Sequence, residues 1–271
     1  MNLPILGEIV FWRMEGVKVL REDTIKLAKG VGIDIEVPEV TGAYSLRKAL
    51  DMMVKSSEED VIWRKENNIY YIAEVKVKDG IRTKSEGTVT VTESDTNFSM
   101  SIDGSDELRD KIREEYNKWS GCIDGTLMIS SLVGFIESKL SGVRVRKGGG
   151  VYFVKIDRIE MLNKLEEWCK KIGGVTLHRI KLVDEGRTMD EIALLFAERV
   201  DEEIQEASQY VKKVLGEDLR RNRAGIESRL DNIDKMKSDL ELYKKMLGSK
   251  ATDIEKSLEE VRASIFMLKM E

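Results

Sequence analysis

Residues 143–155 read VRVRKGGGVYFVK and contain the clearest turn signal in the sequence. Two runs rich in β-branched and aromatic residues flank three consecutive glycines, a pattern typical of a β-hairpin with a glycine turn. On the first arm, Val143 and Val145 alternate with Arg144 and Arg146. Because successive side chains of a strand point to opposite faces, this arm has one apolar and one cationic face. The stretch therefore predicts a hairpin at the middle of the fold.

The residues before this hairpin follow a period of two between positions 60 and 102. Valines alternate with lysines at 75–78 and with threonines at 88–92, which predicts strands with one buried and one solvated face. The pairs Asn67-Asn68 and Asp79-Gly80 favour turns with positive φ. We therefore expect an antiparallel meander, with strands at 61–64, 69–78, 87–92 and 98–102.

The residues after the hairpin are predicted to be almost wholly helical. A long helix at 189–215 precedes a second apolar stripe from Ile226 to Leu247, a turn at Gly248 and a third helix. The third helix carries a heptad seam that consists of Ile254, Leu258, Val261, Ile265 and Leu268. The seam is narrow and its flanks are charged, so it must pack on its own helices, on the rest of the chain or on another chain. We expect an antiparallel helical hairpin with coiled-coil character.

These patterns together predict an α+β protein: an antiparallel β-meander and a glycine hairpin with packed helices, followed by a long helical C-terminal region. Shorter helices are expected at 106–119, 126–140 and 160–172, and a further strand at 175–183. We predict an α+β body at 1–183 and a helical region at 184–271 that ends in the helical hairpin.

Length and composition limit the class of protein. The chain has 271 residues, of which 41% are hydrophobic, enough to bury a core. No run approaches the about 18 apolar residues of a membrane span, and no signal peptide is evident, so a cytoplasmic location without membrane contact is expected. The two cysteines, Cys122 and Cys169, are expected to be reduced and buried. Charged residues form 35% of the chain, a profile that suits a thermophile.

The charge of the chain is distributed unevenly. The net charge of −5 argues against general coating of nucleic acid. Residues 139–181, the basic block, contain eleven basic and four acidic residues and so have a net charge of +7. Residues 184–207, the acidic block, contain nine acidic and two basic residues and so have a net charge of −7. We expect either a free basic surface or a pairing in which Arg144 and Arg146 lie against acids of 190–206, and we favour the pairing.

Four cations of the predicted hairpin are the candidate nucleic-acid contacts: Arg144, Arg146, Lys147 and Lys155. Such side chains contact phosphates and do not read base sequence. The order of a helix, the helix at 126–140 and a hairpin also resembles a winged helix. A recognition helix must present polar side chains to base edges, whereas 126–140 is mostly apolar and suits a core helix.

Support for catalysis or metal binding is weak. His178 is the single histidine, and it is expected as an exposed or half-buried residue of a strand. The three glycines join two strands, whereas a phosphate-binding loop leads into a helix, so a plain turn is expected. Acidic groups such as Asp103, Asp106 and Glu107, or Asp184 and Glu185, arise by chance in a chain with fifty acids. We predict no catalytic residues, no metal and no cofactor.

The run Gly149-Gly150-Val151-Tyr152-Phe153-Val154 resembles a run in a family of uncharacterised bacteriophage proteins. The helix around Leu162–Cys169, the acidic helix from Asp190, and the Phe11-Trp12 and Ala43–Leu50 stretches are also similar. The resemblance covers most of residues 1–205, and it departs at Lys155, where the family run ends in proline. It implies a virus or mobile element as the source of the protein and implies no particular chemistry.

Three functional hypotheses remain. The first is a non-enzymatic interaction protein that forms a homo-oligomer, for which the helical seam predicts a mass that depends on concentration. The alternative is an accessory protein that binds nucleic acid non-specifically through the basic hairpin, with an affinity that falls steeply with salt. The third is an enzyme, which requires a deep pocket with perturbed titratable groups.

Overall fold

A computed structural model describes residues 4–56, 60–78, 81–93, 98–145, 150–183, 187–214, 219–248 and 250–270. The strands are β1 Ile5–Met14, β2 Lys18–Leu20, β3 Asp60–Glu66, β4 Ile69–Lys78, β5 Ile81–Glu93, β6 Phe98–Asp103, β7 Cys122–Asp124, β8 Val143–Arg144, β9 Val151–Lys155 and β10 Val175–Val183. The helices are α1 Arg21–Val31, α2 Gly42–Ser56, α3 Asp106–Trp119, α4 Gly125–Lys139, α5 Ile159–Ile172, α6 Arg187–Val214, α7 Leu219–Leu247 and α8 Lys250–Met270. The predicted α+β class, with antiparallel sheets and a long helical C-terminal region, is confirmed.

The chain divides into two compact units. The meander unit contains Met14–Ser131 and Lys171–Gly174, and the bundle unit contains Met1–Arg13, Leu132–Lys170 and Val175–Glu271. The predicted domain boundary between residues 183 and 184 stays a prediction. Among the helices that the structure describes, none is both long enough and apolar enough to cross a membrane.

The meander unit is built on the sheet β3-β4-β5-β6, in which each strand pairs antiparallel with the next. Asn67 adopts a φ of 52° between β3 and β4, as its turn requires; the predicted turn at Asp79-Gly80 lies outside the described residues. Apolar residues of the sheet pack against α2 and α3 in one core, which includes Leu46, Leu50, Tyr70, Ile72, Val89, Leu108 and Ile112. The predicted meander is confirmed, and its alternation of side chains explains why the helices pack on the sheet.

The sheet of the bundle unit has the order β10-β1-β9-β8. Strands β8 and β9 pair antiparallel, with Val143 opposite Phe153 and Arg144 opposite Tyr152. The Val145 amide donates to the Val151 carbonyl at 2.9 Å, which continues the ladder. Val143 is fully buried and Arg144 is exposed, so the two faces of the first arm differ as the alternation requires. Residues 146–149, which contain most of the glycine turn, lie outside the described residues.

Helices α6, α7 and α8 form an antiparallel three-helix arrangement. Arg229 of α7 bonds Glu203 of α6 at 3.3 Å, and Arg262 of α8 bonds Asp234 of α7 at 2.5 Å. Gly248 adopts a φ of 56° after α7, a conformation that favours glycine at a helix end. The predicted seam lies within this arrangement: Ile254, Leu258, Ile265 and Leu268 are buried, and Val261 is half-buried against the same core. Helices of the same chain therefore cover the seam.

Candidate functional site

The candidate site is the surface around β8 in the bundle unit, where Arg144 has two polar neighbours. The Arg144 guanidinium donates to the Glu137 carboxylate at 2.8 Å and to the Tyr152 hydroxyl at 3.2 Å. The Tyr152 hydroxyl itself donates to Glu137 at 3.0 Å. Burial and the charge of Glu137 raise the pKa of Tyr152, so its hydroxyl keeps the proton that it donates. Arg144 is therefore held in place by a carboxylate, a hydroxyl and the ring of Tyr152.

Of the three other predicted nucleic-acid contacts, Lys155 lies within the described residues. The Lys155 ammonium bonds the Asp157 carboxylate at 2.6 Å, and the Lys155 side chain is 23% exposed. Arg146 and Lys147 lie outside the described residues. Both described cations of the predicted set thus have an acidic partner, which lowers the positive charge that the hairpin offers to a phosphate.

A cleft of about 360 Å³ lies between this hairpin and helix α6. Its lining carries five carboxylates and two guanidinium groups, on Glu137, Arg144, Glu198, Arg199, Glu202, Glu203 and Glu206. Arg199 donates to the Gly142 carbonyl at 3.0 Å, so it too has a partner within the bundle unit. The acids of α6 are partly matched by Arg229, which contacts Glu203 and Glu206 at 3.3 Å. Five carboxylates against two guanidinium groups give the lining a formal excess of negative charge, which the contacts of Arg229 reduce.

The cleft is lined by residues of both the basic block and the acidic block, whose pairing the sequence predicts. Arg144 shares the lining with four glutamates of α6, and its direct ion pair is with Glu137 of α4. The two blocks therefore come together at this surface, with the closest partner supplied by a residue outside the acidic block. Whether they pair in solution stays a prediction.

A buried polar network joins the α4–β8 connection to α7. The Ser141 hydroxyl donates to the Asp239 carboxylate at 2.5 Å, and the Tyr243 hydroxyl donates to the Ser141 carbonyl at 2.8 Å. Ser141 has a φ of 51°, which is uncommon for serine. The second oxygen of Asp239 has no hydrogen-bond partner among the described residues. Burial and the charge of Arg199 lower the pKa of Lys235, one turn before Asp239 on the same helix.

The amino-acid sequence alone did not predict this network. Ser141 and Asp239 are 98 residues apart, so no local pattern links them. One signal was present, since Asp239 interrupts the apolar stripe of α7 between Met236 and Leu240. A carboxylate at a core position of a helix needs a buried donor, and that requirement marks Asp239 for attention.

His178 lies on the exposed side of β10. Its ring stacks on the half-buried ring of Phe11, with centroids 4.9 Å apart and planes inclined by 18°. Ile180, two residues further along β10, is 54% exposed. These side chains leave aromatic and apolar surface uncovered on the sheet of the bundle unit.

The candidate residues for metal or thiol chemistry are the acids at 103–107 and at 184–185 and the two cysteines. Within the described ranges, no group of three or more His, Cys, Asp or Glu side chains is arranged to hold a metal ion, and Asp184 and Glu185 lie outside those ranges. Cys122 and Cys169 are both buried free thiols. Burial raises the pKa of Cys169 to about 12, which keeps it protonated and weakly nucleophilic at neutral pH.

Comparison with known proteins gives a family without a known activity. No curated protein matches the chain. A model of a family of unknown function, DUF6744, matches residues 5–271, so the chain belongs to that family.

Proposed function

We propose that the protein is a non-enzymatic interaction protein that self-associates. The observation that carries this proposal is the acid-lined cleft beside β8. Glu198, Glu202 and Glu206 project from successive turns of α6 and are exposed, while both guanidinium groups of the lining donate to groups of their own chain. A cationic group of a partner would neutralise this excess of carboxylates, and such complementarity accelerates and orients association.

A second copy of the chain supplies suitable cations. Lys164 of α5 and Lys181 of β10 belong to the basic block and are exposed in the bundle unit. An acidic cleft and a basic surface on one chain favour head-to-tail association, in which each copy uses one surface to bind the next. This function requires no catalytic residue, metal or cofactor.

The biological setting is also a proposal. The resemblance to uncharacterised bacteriophage proteins supports a virus or mobile element as the source and the host cytoplasm as the location. The 35% of charged residues supports a thermophilic host.

The test is the mass of the protein in solution as a function of salt. We expect light scattering to show an oligomer at low ionic strength that dissociates as salt screens the cleft. Glu198→Lys should weaken association, whereas Asp201→Lys should leave it unchanged. Both acids are exposed on α6 and both changes alter the net charge equally, but only Glu198 lines the cleft. A monomer under all conditions, or equal effects of the two changes, would contradict the proposal.

Nucleic-acid binding is the second candidate function. It is supported by the stacked rings of Phe11 and His178 on an exposed part of the sheet, because bases stack on such aromatic side chains. It ranks second because Arg144 and Lys155 both have acidic partners. If this function holds, Phe11→Ala should reduce the affinity for a single-stranded oligonucleotide more than Ile156→Ala, which also truncates an apolar residue of the bundle unit.

A further inference from the structure

The sheet of the bundle unit has two edges, and they differ. At one edge, β8 contains two residues, and Val143 is buried in the same core as Ile192 and Phe196 of α6. At the other edge, β10 contains nine residues. In the part of the chain that the structure describes, β10 pairs with β1, and no backbone hydrogen bond joins it to another strand. A row of backbone donors and acceptors therefore faces outward from β10.

The composition of β10 leaves this edge open to another strand. The strand contains neither proline nor glycine, and Thr176, His178, Ile180 and Lys181 are exposed. Edge strands are usually protected from pairing by charges, prolines or short length. The charge of Arg179 is balanced within the chain, because its guanidinium donates to Glu8 at 2.5 Å and to Glu166 at 2.7 Å. Lys181 is then the one other cation along these nine residues, apart from a protonated His178.

We propose that β10 of one copy pairs antiparallel with β10 of a second copy, about a two-fold axis at Arg179. The strand reads VTLHRIKLV, so valines lie at both of its ends and the exposed His178 and Ile180 lie on either side of the central Arg179. This register places Val175 opposite Val183 of the partner subunit and His178 opposite Ile180 of the partner subunit. Aromatic and β-branched residues form favourable cross-strand pairs, and each of the two symmetry-related pairs of His178 with Ile180 covers an exposed isoleucine.

The placement of His178 and Ile180 on either side of Arg179 favours a second copy as the partner of β10. In a two-fold pairing both Arg179 side chains meet at the axis, where their charges are already compensated by Glu8 and Glu166. The two sheets would join into one continuous sheet, as in β-strand addition. The inference rests on the proposed self-association and names a surface distinct from the acid-lined cleft.

The two surfaces predict opposite responses to salt. Contacts at the cleft are electrostatic and are screened at an ionic strength of about 1 M, where the Debye length is about 3 Å. Main-chain hydrogen bonds and burial of Ile180 persist at that ionic strength. We therefore expect a dimer of the full-length protein to remain at high salt after any larger, cleft-dependent assembly has dissociated.

The test compares Ile180→Lys with Leu194→Lys by light scattering at high salt. The two residues are exposed by 54% and 51%, and Leu194 lies on α6. We expect the wild type and Leu194→Lys to be dimers and Ile180→Lys to be a monomer, because the new lysine would replace the apolar partner of His178 and place a further positive charge next to Lys181 in both copies. A dimer that survives Ile180→Lys overturns the proposed pairing.

Hydrogen exchange of the unchanged protein gives a second, independent readout. At high salt, amides of β10 should exchange more slowly at high protein concentration than at low concentration, because the added strand protects them. The absence of such protection overturns the pairing. A wild type that associates at low salt only overturns the pairing and leaves the proposed function in place. A monomer at every salt concentration overturns both.

Discussion

Asp124 of the meander unit shows how much a single buried side chain can determine. It is 4% exposed, it accepts a hydrogen bond from the Tyr44 hydroxyl at 2.6 Å, and it forms an ion pair with Lys48. Its carboxylate also accepts the amides of Thr126 and Leu127 at 3.0 and 3.1 Å, and so caps the start of α4. One acid thus joins α2 to the beginning of α4.

We expect Asp124→Asn to lower the free energy of unfolding at neutral pH by about 1–3 kcal/mol. Burial raises the pKa of Asp124, but the hydrogen bonds from Lys48, Tyr44 and Leu127 outweigh burial and hold the pKa below its ordinary value. A lowered pKa in the folded state means that the charge stabilises the protein above the unfolded pKa of about 3.9, and that this stability is lost as pH falls through the folded pKa.

The measurement is urea unfolding over a series of pH values. The difference in stability between the wild type and Asp124→Asn should be constant at neutral pH and disappear in acid. Asp110→Asn is the control, since Asp110 is exposed on α3. A difference that grows as the pH falls would show that the pKa of Asp124 is raised in the folded protein.

Helix α8 illustrates stabilisation at the scale of an element. Leu258 is fully buried in the core that α6, α7 and α8 share, in the middle of the predicted seam. We expect Leu258→Asp to reduce the free energy of unfolding by more than about 3 kcal/mol, because an unpaired charge would lie in an apolar site. Thermal unfolding followed by circular dichroism at 222 nm would measure the loss, since that wavelength reports helix.

The matched control is Phe266→Asp on the same helix. Phe266 is 47% exposed, and a change at such a position should alter stability by no more than about 0.5 kcal/mol. If the two substitutions were equally harmful, the general apolar character of α8 would matter more than its orientation. If Leu258→Asp were harmless, the seam would not be part of the core.

Local patterns were sufficient to predict most elements, and pairing between distant residues was not. The strand predicted at 69–78 is observed with the same first and last residues. Its alternating apolar and polar side chains and the turn at Asn67 all lie within one short segment, so a local pattern was sufficient to predict it. The position of β1 between β9 and β10 has no local signal, since β1 and β9 are far apart in sequence. The same distinction holds for the candidate site. The basic and acidic blocks could be predicted because each is a continuous segment, whereas the contact between Ser141 and Asp239 joins residues that are far apart in sequence.

At the scale of the whole molecule, net charge separates the two candidate functions. The chain has a net charge of −5, and the acids of α6 face a cleft beside the hairpin that carries the predicted nucleic-acid contacts. A polyanion is repelled by such a surface unless exposed cations project beyond roughly one Debye length, about 8 Å at physiological salt. We therefore expect the wild type to bind single-stranded DNA weakly at that salt concentration.

The triple variant Glu198→Lys, Glu202→Lys and Glu206→Lys should bind more tightly. Each exchange adds two positive charges, so the three together change the formal net charge from −5 to +1. Fluorescence anisotropy of a labelled oligonucleotide would measure both proteins, and the gain should shrink as salt rises, because ion release drives the binding. If the wild type already bound tightly with a steep dependence on salt, the acidic cleft would not govern what this surface binds. The nucleic-acid function would then take precedence over self-association.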